Sequence, residues 1–374
     1  MFELRFPTKI VFGNSSADQV GDEARQYGDR ALLVTGRSAM REAGITGRIE
    51  ELLRASGFRD IYIYDQVEHD PSTKTVDRGT ELAREGRVDV VIGIGGGSAL
   101  DAAKAIACMV KNEGSVEEYQ VGRKIENPGV PFIALPTTAG TGAEITKNAV
   151  LTNKAEELKQ SVRSPFMIAK IAIVDPILTV SMPPGVTAAT GMDALTQAIE
   201  AYVTLASNPL TDTLALRSIS LISHNLVRAF TDGNDLEARE SVALGSLMGG
   251  MAFANSSLGA VHGLAHPAGA FFDVPHGVIC ALLLPHVMEY NLSVRDTKYA
   301  QIAEAMGQDA HARMAVDAVR NLISRLQLPQ RLRDIGISRE GLGKIAGAAH
   351  GSSLNNNPRS TTPESLEQIL SAAL

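Results

Sequence analysis

The sequence predicts an α/β domain built on a parallel sheet, followed by an all-helical domain. Short apolar strands alternate with helices through the first half of the chain, and helical periodicity dominates after Pro183-Pro184. Glycine-rich turns also follow two of the predicted strands. Such alternation is typical of βαβ units, whose parallel strands are covered by helices on both faces. We therefore predict an α/β domain over residues 1–183 and a helical domain over residues 184–374.

Length and composition agree with two domains and exclude several classes of protein. A chain of 374 residues is too long for one ordinary hydrophobic core. The net charge of −7, without a basic run, argues against nucleic acid as a partner. Cys108 and Cys280 are the only cysteines, so no disulfide framework is expected. The N-terminus lacks a secretory pattern, and no apolar run reaches membrane-spanning length. We expect a soluble cytoplasmic protein with no membrane partner.

The first half divides into strands and helices by its hydrophobic spacing. The predicted strands are Lys9–Phe12, Ala31–Thr35, Ile61–Tyr64, Val88–Ile94, Phe132–Leu135 and Ile171–Val174. The predicted helices between them are Ser16–Tyr27, Glu42–Ala55 and Thr73–Glu85. Two further segments, Glu144–Asn153 and Leu158–Arg163, are expected to form a polar hairpin.

The second half is expected to be almost entirely helical. Its clearest segments are Ala188–Val203, Thr211–Phe230, Leu236–Phe253 and Val278–Tyr290, followed by several amphipathic stretches. Asn208 is a predicted N-cap with Pro209 in the first turn of the helix. Residues 351–362, rich in Ser, Asn and Pro, are predicted to form an exposed loop before the last helix.

The turn after strand Val88–Ile94 has the features of a phosphate-binding loop. Three consecutive glycines, Gly95–Gly97, allow a ligand to approach the backbone closely. Ser98 is followed three residues later by Asp101, so a capping box is predicted to start the next helix there. The amides and the positive end of that helix would suit a pyrophosphate. An ordinary tight turn is the alternative interpretation.

A second turn, Pro136–Glu144, follows strand Phe132–Leu135 and is rich in Gly and Thr. Its hydroxyls and amides have the chemistry to bind phosphate or ribose oxygens. Two such turns at the carboxyl ends of parallel strands favour a nucleotide-binding crevice over a pair of ordinary loops.

Three histidines cluster in the helical half. His262 and His266 are four residues apart, which places them on one helix face, and His276 follows after a Phe-rich turn. Converging imidazoles suit a divalent metal or a proton-transfer site, whereas packing or capping is the alternative role. Asp193 and Gln197 share another helix face, and the Asp193 carboxylate could meet His262 and His276. A favourable contact with the helix dipole would also explain an acidic residue there.

Five motifs in this order carry a resemblance over nearly the whole chain: GGGSALDAAK, PTTAGTGAEIT, DPILTVSMPP, GMDALTQAIEAY and HGLAHPAGAFFDVPHGV. The sequence resembles the iron-containing (group III) alcohol dehydrogenases. The resemblance implies the dehydroquinate synthase-like architecture, with a dinucleotide-binding α/β domain, an all-helical domain and a metal in the cleft between them. It also implies an NAD(P)-dependent alcohol dehydrogenase or aldehyde reductase for a small alcohol or aldehyde. A homodimer that pairs N-terminal strands is expected on the same ground.

Matching the motifs one by one carries the family's site residues onto this chain. The metal positions fall on Asp193, Gln197, His262 and His276. His266 falls beside the nicotinamide, where it is our candidate catalytic residue for relaying the hydroxyl proton. The cofactor-binding positions implied by the resemblance are Gly36, Asp70, Gly95, Gly96, Gly97, Ser98, Asp101, Thr137, Thr138, Thr141, Asn148, Lys159 and Leu178.

The chain departs from the family's pattern at three places. Gln197 stands where the family usually has His, so we expect a weakened site for Fe²⁺ or Zn²⁺ with Gln197 at best a weak fourth ligand. Gly36, followed by Arg37, stands where NAD-preferring members often carry Asp, and we therefore expect NADP to be accepted. Asp70-Pro71 replaces a common Asn-Pro.

Other functions remain open at this level. The nearest enzyme alternative is a metal-independent reductase of the maleylacetate reductase type, which the sequence also resembles. A dehydroquinate-synthase-type lyase shares the nucleotide domain but matches the helical half poorly. The non-enzyme alternative is a nucleotide-binding protein that has lost its metal and senses redox state.

Overall fold

The computed structural model describes residues 2–153, 156 and 158–374, and the chain divides into two compact units. The sheet unit comprises Phe6–Thr138 and Gly142–Ser181. The helical unit comprises Met182–Leu374 together with Ala139–Thr141 and the N-terminal residues up to Arg5. The main division thus falls between residues 181 and 182, two residues before the predicted division between residues 183 and 184.

Two short segments predicted for the α/β domain group with the helical unit instead. The backbone amide of Arg5 donates to Asn255 Oδ1 at 2.7 Å. Gly140 lies so close to Thr190 that a Cβ on the glycine would come within 2.9 Å of the Thr190 carbonyl oxygen. These contacts explain why both segments group with the helical unit, since the prediction followed sequence order alone.

Six parallel strands form the central sheet of the sheet unit, in the order β1-β8-β5-β4-β2-β3. They are β1 Lys9–Phe12, β2 Arg30–Gly36, β3 Asp60–Val67, β4 Val90–Gly95, β5 Phe132–Pro136 and β8 Ile171–Val174. Strands β6 (Asn148–Asn153) and β7 (Leu158–Arg163) pair antiparallel as a separate two-stranded sheet. The six predicted strands are present, and so is the predicted hairpin, although its first strand begins at Asn148 and not at Glu144, because residues 144–147 form a turn. Because β4 and β5 are buried on both faces, they read as continuous apolar runs.

In the part of this unit that the structure describes there are six α-helices: α1 Val20–Arg25, α2 Ala39–Glu42, α3 Ile45–Ala55, α4 Thr73–Glu85, α5 Gly97–Met109 and α6 Val116–Gln120. The predicted helix Glu42–Ala55 is interrupted because Gly44 takes a left-handed conformation with φ of 73°. The strand predicted from Val88 begins instead at Val90, after a turn in which Arg87 has φ of 47°. The segment predicted to be helical from Ser16 begins with a 3₁₀ turn, Ser16–Gln19.

Helix α5 does not begin with the predicted capping box. Its N-cap is Gly96, with no side-chain cap, and the helix starts at Gly97. The Asp101 carboxylate instead accepts a hydrogen bond from the Val150 amide at 2.9 Å and forms an ion pair with Lys104 at 3.2 Å. The capping prediction was wrong because the buried ammonium group requires a counter-charge within the core.

Lys104 joins helix α5 to the segment leading into β6. Its side chain is fully buried, and its ammonium donates to the carbonyl oxygens of Ala143 at 2.6 Å and Asn148 at 2.9 Å. Burial lowers the pKa of Lys104, and the neighbouring Asp101 carboxylate opposes that shift. The ammonium is therefore stabilised by several acceptors. An apolar side chain at this position would leave those acceptors without a donor.

We predict that Lys104→Met destabilises the sheet unit, because it leaves Asp101 and buried carbonyl groups without their donor. Removing one partner of a buried pair typically costs about 3–5 kcal/mol. Lys111→Met, at an exposed position, is the control and should change the free energy of unfolding by less than about 0.5 kcal/mol. Urea unfolding measures both. Equal stability of the two variants would contradict the proposed role of Lys104.

The helical unit contains nine helices among the described residues. They are α7 Pro184–Val203, α8 Pro209–Thr231, α9 Leu236–Ala254, α10 Ala260–Phe272, α11 His276–Ala305, α12 Ala312–Arg325, α13 Arg339–Ala348, α14 Ser352–Asn355 and α15 Pro363–Ala372. Asn208 caps α8 as predicted, with its side chain accepting from the Leu210 and Thr211 amides. Residues 351–362 were predicted to form an exposed loop, but they contain the short helix α14, because Ser352–Asn355 forms one hydrogen-bonded helical turn.

Helix α11 is longer than the sequence predicted. It runs for 30 residues with a kink at Arg295, well beyond the predicted Val278–Tyr290. By length and composition it is apolar enough to cross a membrane, although no run of that kind was expected. Of its most apolar window, 56% is buried inside the protein. A core helix shows the same properties, since it must also be apolar over most of its surface.

Candidate functional site

Helix α7 presents three acidic or amide side chains on one face. Asp193, Gln197 and Glu200 follow at intervals of four and three residues, which aligns them along the helix. All three are at least 95% buried within the helical unit. A carboxylate is rarely buried to this extent unless it is paired or binds a cation.

Helices α10 and α11 supply the imidazoles and a thiol. His262 and His266 lie one turn apart on α10, which ends at Asp273 in the left-handed conformation. The chain then turns through Pro275 and starts α11 at His276, which brings that side chain back toward α10 as predicted. The ring centroid of His276 lies 5.4 Å from each of the other two rings.

The ligand-type atoms of four residues converge. The atoms offered by Asp193, His262, His276 and Cys280 all lie within 4.8 Å of one another. Asp193 Oδ1 is 3.3 Å from His262 Nε2 and 3.8 Å from His276 Nε2. Cys280 Sγ is 3.5 Å from His276 Nε2. The prediction that the Asp193 carboxylate meets His262 and His276 is therefore satisfied in the structure.

Glu200 orients His262 from behind. Its carboxylate accepts from His262 Nδ1 at 2.6 Å and from the Val261 amide, in the first turn of α10, at 2.7 Å. Since a carboxylate can only accept, the proton lies on Nδ1, and Nε2 faces Asp193. This carboxylate–imidazole arrangement is typical of metal-binding histidines, whose second nitrogen is held by an acceptor.

Two glycines permit these close approaches. A Cβ on Gly259 would lie 2.8 Å from Glu200 Oε1, so a larger residue would displace the carboxylate that orients His262. A Cβ on Gly277 would lie 2.2 Å from the Ala189 carbonyl oxygen on α7. Helix α11 can therefore begin in contact with α7, which brings His276 to Asp193.

Three polar atoms in this cluster are buried without a hydrogen-bond partner: Asp193 Oδ1, Gln197 Oε1 and His262 Nε2. Each unsatisfied buried polar group costs about 1–3 kcal/mol. If His262 is neutral, its Nε2 lone pair faces the negative oxygen of Asp193, and a cation placed between them would satisfy both. The oxygen and nitrogen donors present here are common ligands of Zn²⁺ and Fe²⁺. The residues therefore fit a divalent metal.

The electrostatics of the cluster support the same conclusion. Burial alone would lower the pKa of His262, but pairing with Asp193 and Glu200 raises it to about 9. Burial opposes ionisation of Asp193, yet His262 and His276 hold its pKa below the ordinary value. The cluster thus concentrates negative charge around His262, and in the absence of a metal that charge is compensated by a proton.

Sequence reasoning missed two members of this cluster. Cys280 lies four residues after His276 on α11, so the i, i+4 spacing used for His262 and His266 could have found it. Glu200 lies seven residues after Asp193 on the same face of α7. His266, the predicted proton-relay residue, is exposed, and its ring stacks on His276 with an interplanar angle of 16°.

The predicted phosphate-binding residues of the sheet unit also assemble around the start of α5. The Thr137 amide donates to the Gly95 carbonyl at 3.0 Å, and Thr138 lies beside Gly96, where a Cβ would contact its side chain at 3.2 Å. Ser98 Oγ accepts from the Asp70 amide at 3.3 Å. The first amides of α5 have no intrahelical acceptor, so they are available to bind an anion.

Other residues predicted for the cofactor site lie close by or have different contacts. Lys159 forms an ion pair with Asp70. Gly36 is the last residue of β2. Asn148 lies at the start of β6, and its carbonyl oxygen accepts a hydrogen bond from the buried Lys104 ammonium. Leu178 is 2% exposed and belongs to a hydrophobic cluster of the sheet unit. The assignment of Leu178, Asp101 and Thr141 to the cofactor site stays a prediction, and Thr141 lies in the segment grouped with the helical unit.

Comparison with known proteins identifies the family. The sequence profile of iron-containing alcohol dehydrogenase matches residues 7–176, and that of the C-terminal region of the Fe-containing alcohol dehydrogenase family matches residues 187–374. The chain is 37% identical to 1,3-propanediol dehydrogenase of Citrobacter freundii, over 100% of this chain and 99% of that protein. It is 34% identical to NAD-dependent methanol dehydrogenase of Bacillus methanolicus, over 100% of both.

The fold comparison agrees. A crystal structure of 1,3-propanediol oxidoreductase superimposes with a TM-score of 0.96, at 37% identity and over 100% of both chains. The α/β unit and helical unit therefore define a nicotinamide-dependent oxidoreductase that acts on CH–OH groups. The chain belongs to the iron-containing alcohol dehydrogenase family, as the motif resemblance predicted.

We predict that Gly96→Val abolishes dinucleotide binding, because the added side chain fills the space through which a pyrophosphate would reach the α5 amides. Calorimetric titration with NADH and NADPH measures the effect. Gly47→Val is the control, since a Cβ at that exposed helical position would meet no neighbour within 4 Å. Unchanged affinity in the folded Gly96→Val protein would refute the assignment of this turn.

We also predict that Glu200→Gln weakens zinc binding by about 10–100-fold, the usual cost of changing a hydrogen-bond partner of a metal ligand. The amide preserves the shape of the side chain but removes the charge that pairs with His262 Nδ1. Glu304→Gln, on the exposed face of α11, is the control. Competition with a chromogenic chelator measures the affinity, and equal affinities for the wild type and Glu200→Gln would contradict this role.

Proposed function

We propose that this protein is an NAD(P)-dependent alcohol dehydrogenase or aldehyde reductase that acts on small alcohols or aldehydes with a divalent metal. The observation that carries the proposal is the convergence of the buried Asp193 and His262 with the partly buried His276, in which Asp193 Oδ1 and His262 Nε2 face each other at 3.3 Å without a hydrogen bond. The relatives named above for propanediol and methanol support a short alcohol as the substrate.

We propose Asp193, His262 and His276 as the residues that hold Fe²⁺ or Zn²⁺. When bound there, the metal would polarise the oxygen of the alcohol or carbonyl group. The protein contributes the fixed orientation of its donors: Glu200 sets the tautomer of His262, and Gln197 donates to Asp193 Oδ2 at 3.1 Å. Gln197 thus holds the carboxylate with its amide nitrogen, in place of offering an imidazole as the family pattern does.

His266 is the proposed proton-relay residue. It is exposed, whereas His262 is 2% exposed, so of the two histidines on α10 only His266 can exchange protons directly with water. Its ring stacks on His276, which places it at the solvent side of the cluster. A ring nitrogen of His266 would accept the proton released from the substrate hydroxyl and pass it to solvent.

The sheet unit is proposed to bind the dinucleotide through the first turn of α5 and the Gly/Thr turn after β5. The nicotinamide supplies the hydride chemistry when bound. The chain's own contribution is the set of amides at Gly97 and Ser98, the positive end of α5 and the hydroxyls of Thr137 and Thr138.

The direct test is turnover of a panel of short primary alcohols with NAD⁺ and of the matching aldehydes with NADH, before and after chelation. We expect chelation to remove most activity and added Zn²⁺ or Fe²⁺ to restore it. A residue that only hydrogen-bonds to a metal ligand typically contributes a roughly 10–100-fold effect. Because His276 would contact the metal itself, His276→Ala should lower kcat/KM by more than that. Full activity in chelated protein together with a silent His276→Ala variant would instead favour the metal-independent reductase. Absence of turnover with every substrate would favour a nucleotide-binding role.

We propose that NADP is accepted as well as NAD. Gly36 carries no carboxylate to repel a 2′-phosphate, and the neighbouring Arg37 is exposed and able to pair with one. Arg37→Ala should raise the KM for NADPH at least about tenfold, the equivalent of 1.4 kcal/mol, and leave the KM for NADH nearly unchanged. Arg54→Ala, on the exposed face of α3, is the control. A wild-type KM for NADPH far above that for NADH would contradict this inference.

Two further properties are proposals of the same kind. We propose a cytoplasmic location, since the chain has only two cysteines and both are free in the structure. We also propose a homodimer that pairs N-terminal strands. Strand β1 is an edge strand of the central sheet, and its neighbour there is β8. The exposed Phe2 and Phe6 precede β1 in the sequence.

A further inference from the structure

We propose that Cys280 is a ligand of the catalytic metal, so that a thiolate takes the position in the donor set that Gln197 leaves unfilled. This inference rests on the proposed function, because it assigns a fourth donor to the same site. It would make the site a carboxylate–bis-imidazole–thiolate site, in which Gln197 is a positioning residue.

The geometry brings Cys280 into the cluster. It lies one turn after His276 on α11, so the two side chains share a helix face. Its sulfur is 3.5 Å from His276 Nε2 and within 4.8 Å of the donor atoms of Asp193 and His262. The side chain is fully buried, and its neighbours in the cluster are polar. Independent evidence for a ligand comes from Asp193 Oδ1 and His262 Nε2, which are buried in the same cluster, lie 3.3 Å apart and make no hydrogen bond.

Gln197 is less suited to be the fourth donor. Its amide nitrogen donates to Asp193 Oδ2 at 3.1 Å, and the amide cannot be reversed without placing its oxygen against the carboxylate oxygen. Its remaining donor is a neutral amide oxygen, whereas a cysteine can offer an anionic sulfur. Sulfur is a strong ligand for Zn²⁺, which also binds imidazole and carboxylate well.

The other cysteine provides a built-in comparison. Cys108 lies on α5 in a hydrophobic cluster of the sheet unit. Burial raises the pKa of both thiols, that of Cys108 to about 12. The two cysteines are therefore equally buried but differ in surroundings, since a carboxylate and two imidazoles adjoin only Cys280.

Ligation would have a defined proton balance. The Cys280 S–H bond breaks, its proton leaves to the solvent, and the sulfur lone pair forms the bond to the divalent ion; no electron is transferred. A donor set that contains sulfur favours Zn²⁺ over the harder Fe²⁺. Zn²⁺ can expand to five ligands, so four protein donors still permit a substrate oxygen to bind.

Cobalt provides a direct spectroscopic test. The full-length protein is stripped of metal by chelation and titrated with Co²⁺, and its near-ultraviolet absorption is recorded. We expect a thiolate-to-cobalt charge-transfer band in the wild type and in Cys108→Ser, and its loss in Cys280→Ser and Cys280→Ala. A wild-type protein without that band, or a band that persists in both Cys280 variants, would overturn the proposal.

Zinc affinity separates the two candidate donors. Competition with a chromogenic chelator should show that Cys280→Ser binds Zn²⁺ more than about 100-fold more weakly than the wild type, beyond the usual effect of losing a ligand's hydrogen-bond partner. Gln197→Ala should fall within that smaller effect, about 10–100-fold. The reverse order would assign the donor to Gln197 and overturn the proposal.

The same samples distinguish this inference from the proposed function. Wild-type turnover of an alcohol with NAD⁺ but no charge-transfer band would retain the dehydrogenase and reject the thiolate ligand. A charge-transfer band that is lost in the Cys280 variants, without turnover of any alcohol or aldehyde, would retain the ligand and reject the dehydrogenase. Thermal unfolding verifies that each variant is folded, and Cys280→Ala serves if Cys280→Ser is unstable.

Discussion

The structure of the helical unit depends on two carboxylates buried on either side of one imidazole. Glu200 and Asp193 contact opposite nitrogens of His262, and all three side chains are at least 95% buried. One imidazole, even when protonated, compensates one of the two negative charges, and a buried unpaired charge is strongly unfavourable. A divalent cation between Asp193, His262 and His276 would resolve this imbalance, and on this ground we propose that the cluster is a binding site.

The surrounding fold is adapted to bring those groups together. Helix α7 carries the carboxylates, while the turn between α10 and α11 returns His276 to its place beside His262. Gly259 and Gly277 allow backbone to approach where a side chain would collide. Glycines have a similar role in the sheet unit, because those before α5 leave the first helix amides accessible to an anion. We propose that the helical unit binds the metal and that the sheet unit binds the dinucleotide.

Much of this could be predicted from the sequence because the relevant signals are local. Strand and helix alternation gave the order of elements, and i, i+4 spacing gave the His262–His266 pair and the Asp193–Gln197 pair. Asp101 was misassigned as a cap because a local pattern cannot reveal that buried Lys104 needs a counter-charge from the same helix. Glu200 was missed because its partner, His262, lies on another helix far along the chain. Cys280 was missed although its spacing from His276 is local, because the donors Asp193 and His262 that complete the cluster lie on other helices. The grouping of Ala139–Thr141 with the helical unit likewise depends on tertiary contacts.

We propose that the cluster around His262 is the metal site of this alcohol dehydrogenase. Crystals of the protein grown with Zn²⁺, with diffraction recorded on both sides of the zinc absorption edge, test this most directly. We expect one strong anomalous peak in coordinating contact with Asp193, His262 and His276. An ordered active site without an anomalous peak there, and with the Asp193–His262 contact unchanged, would contradict it.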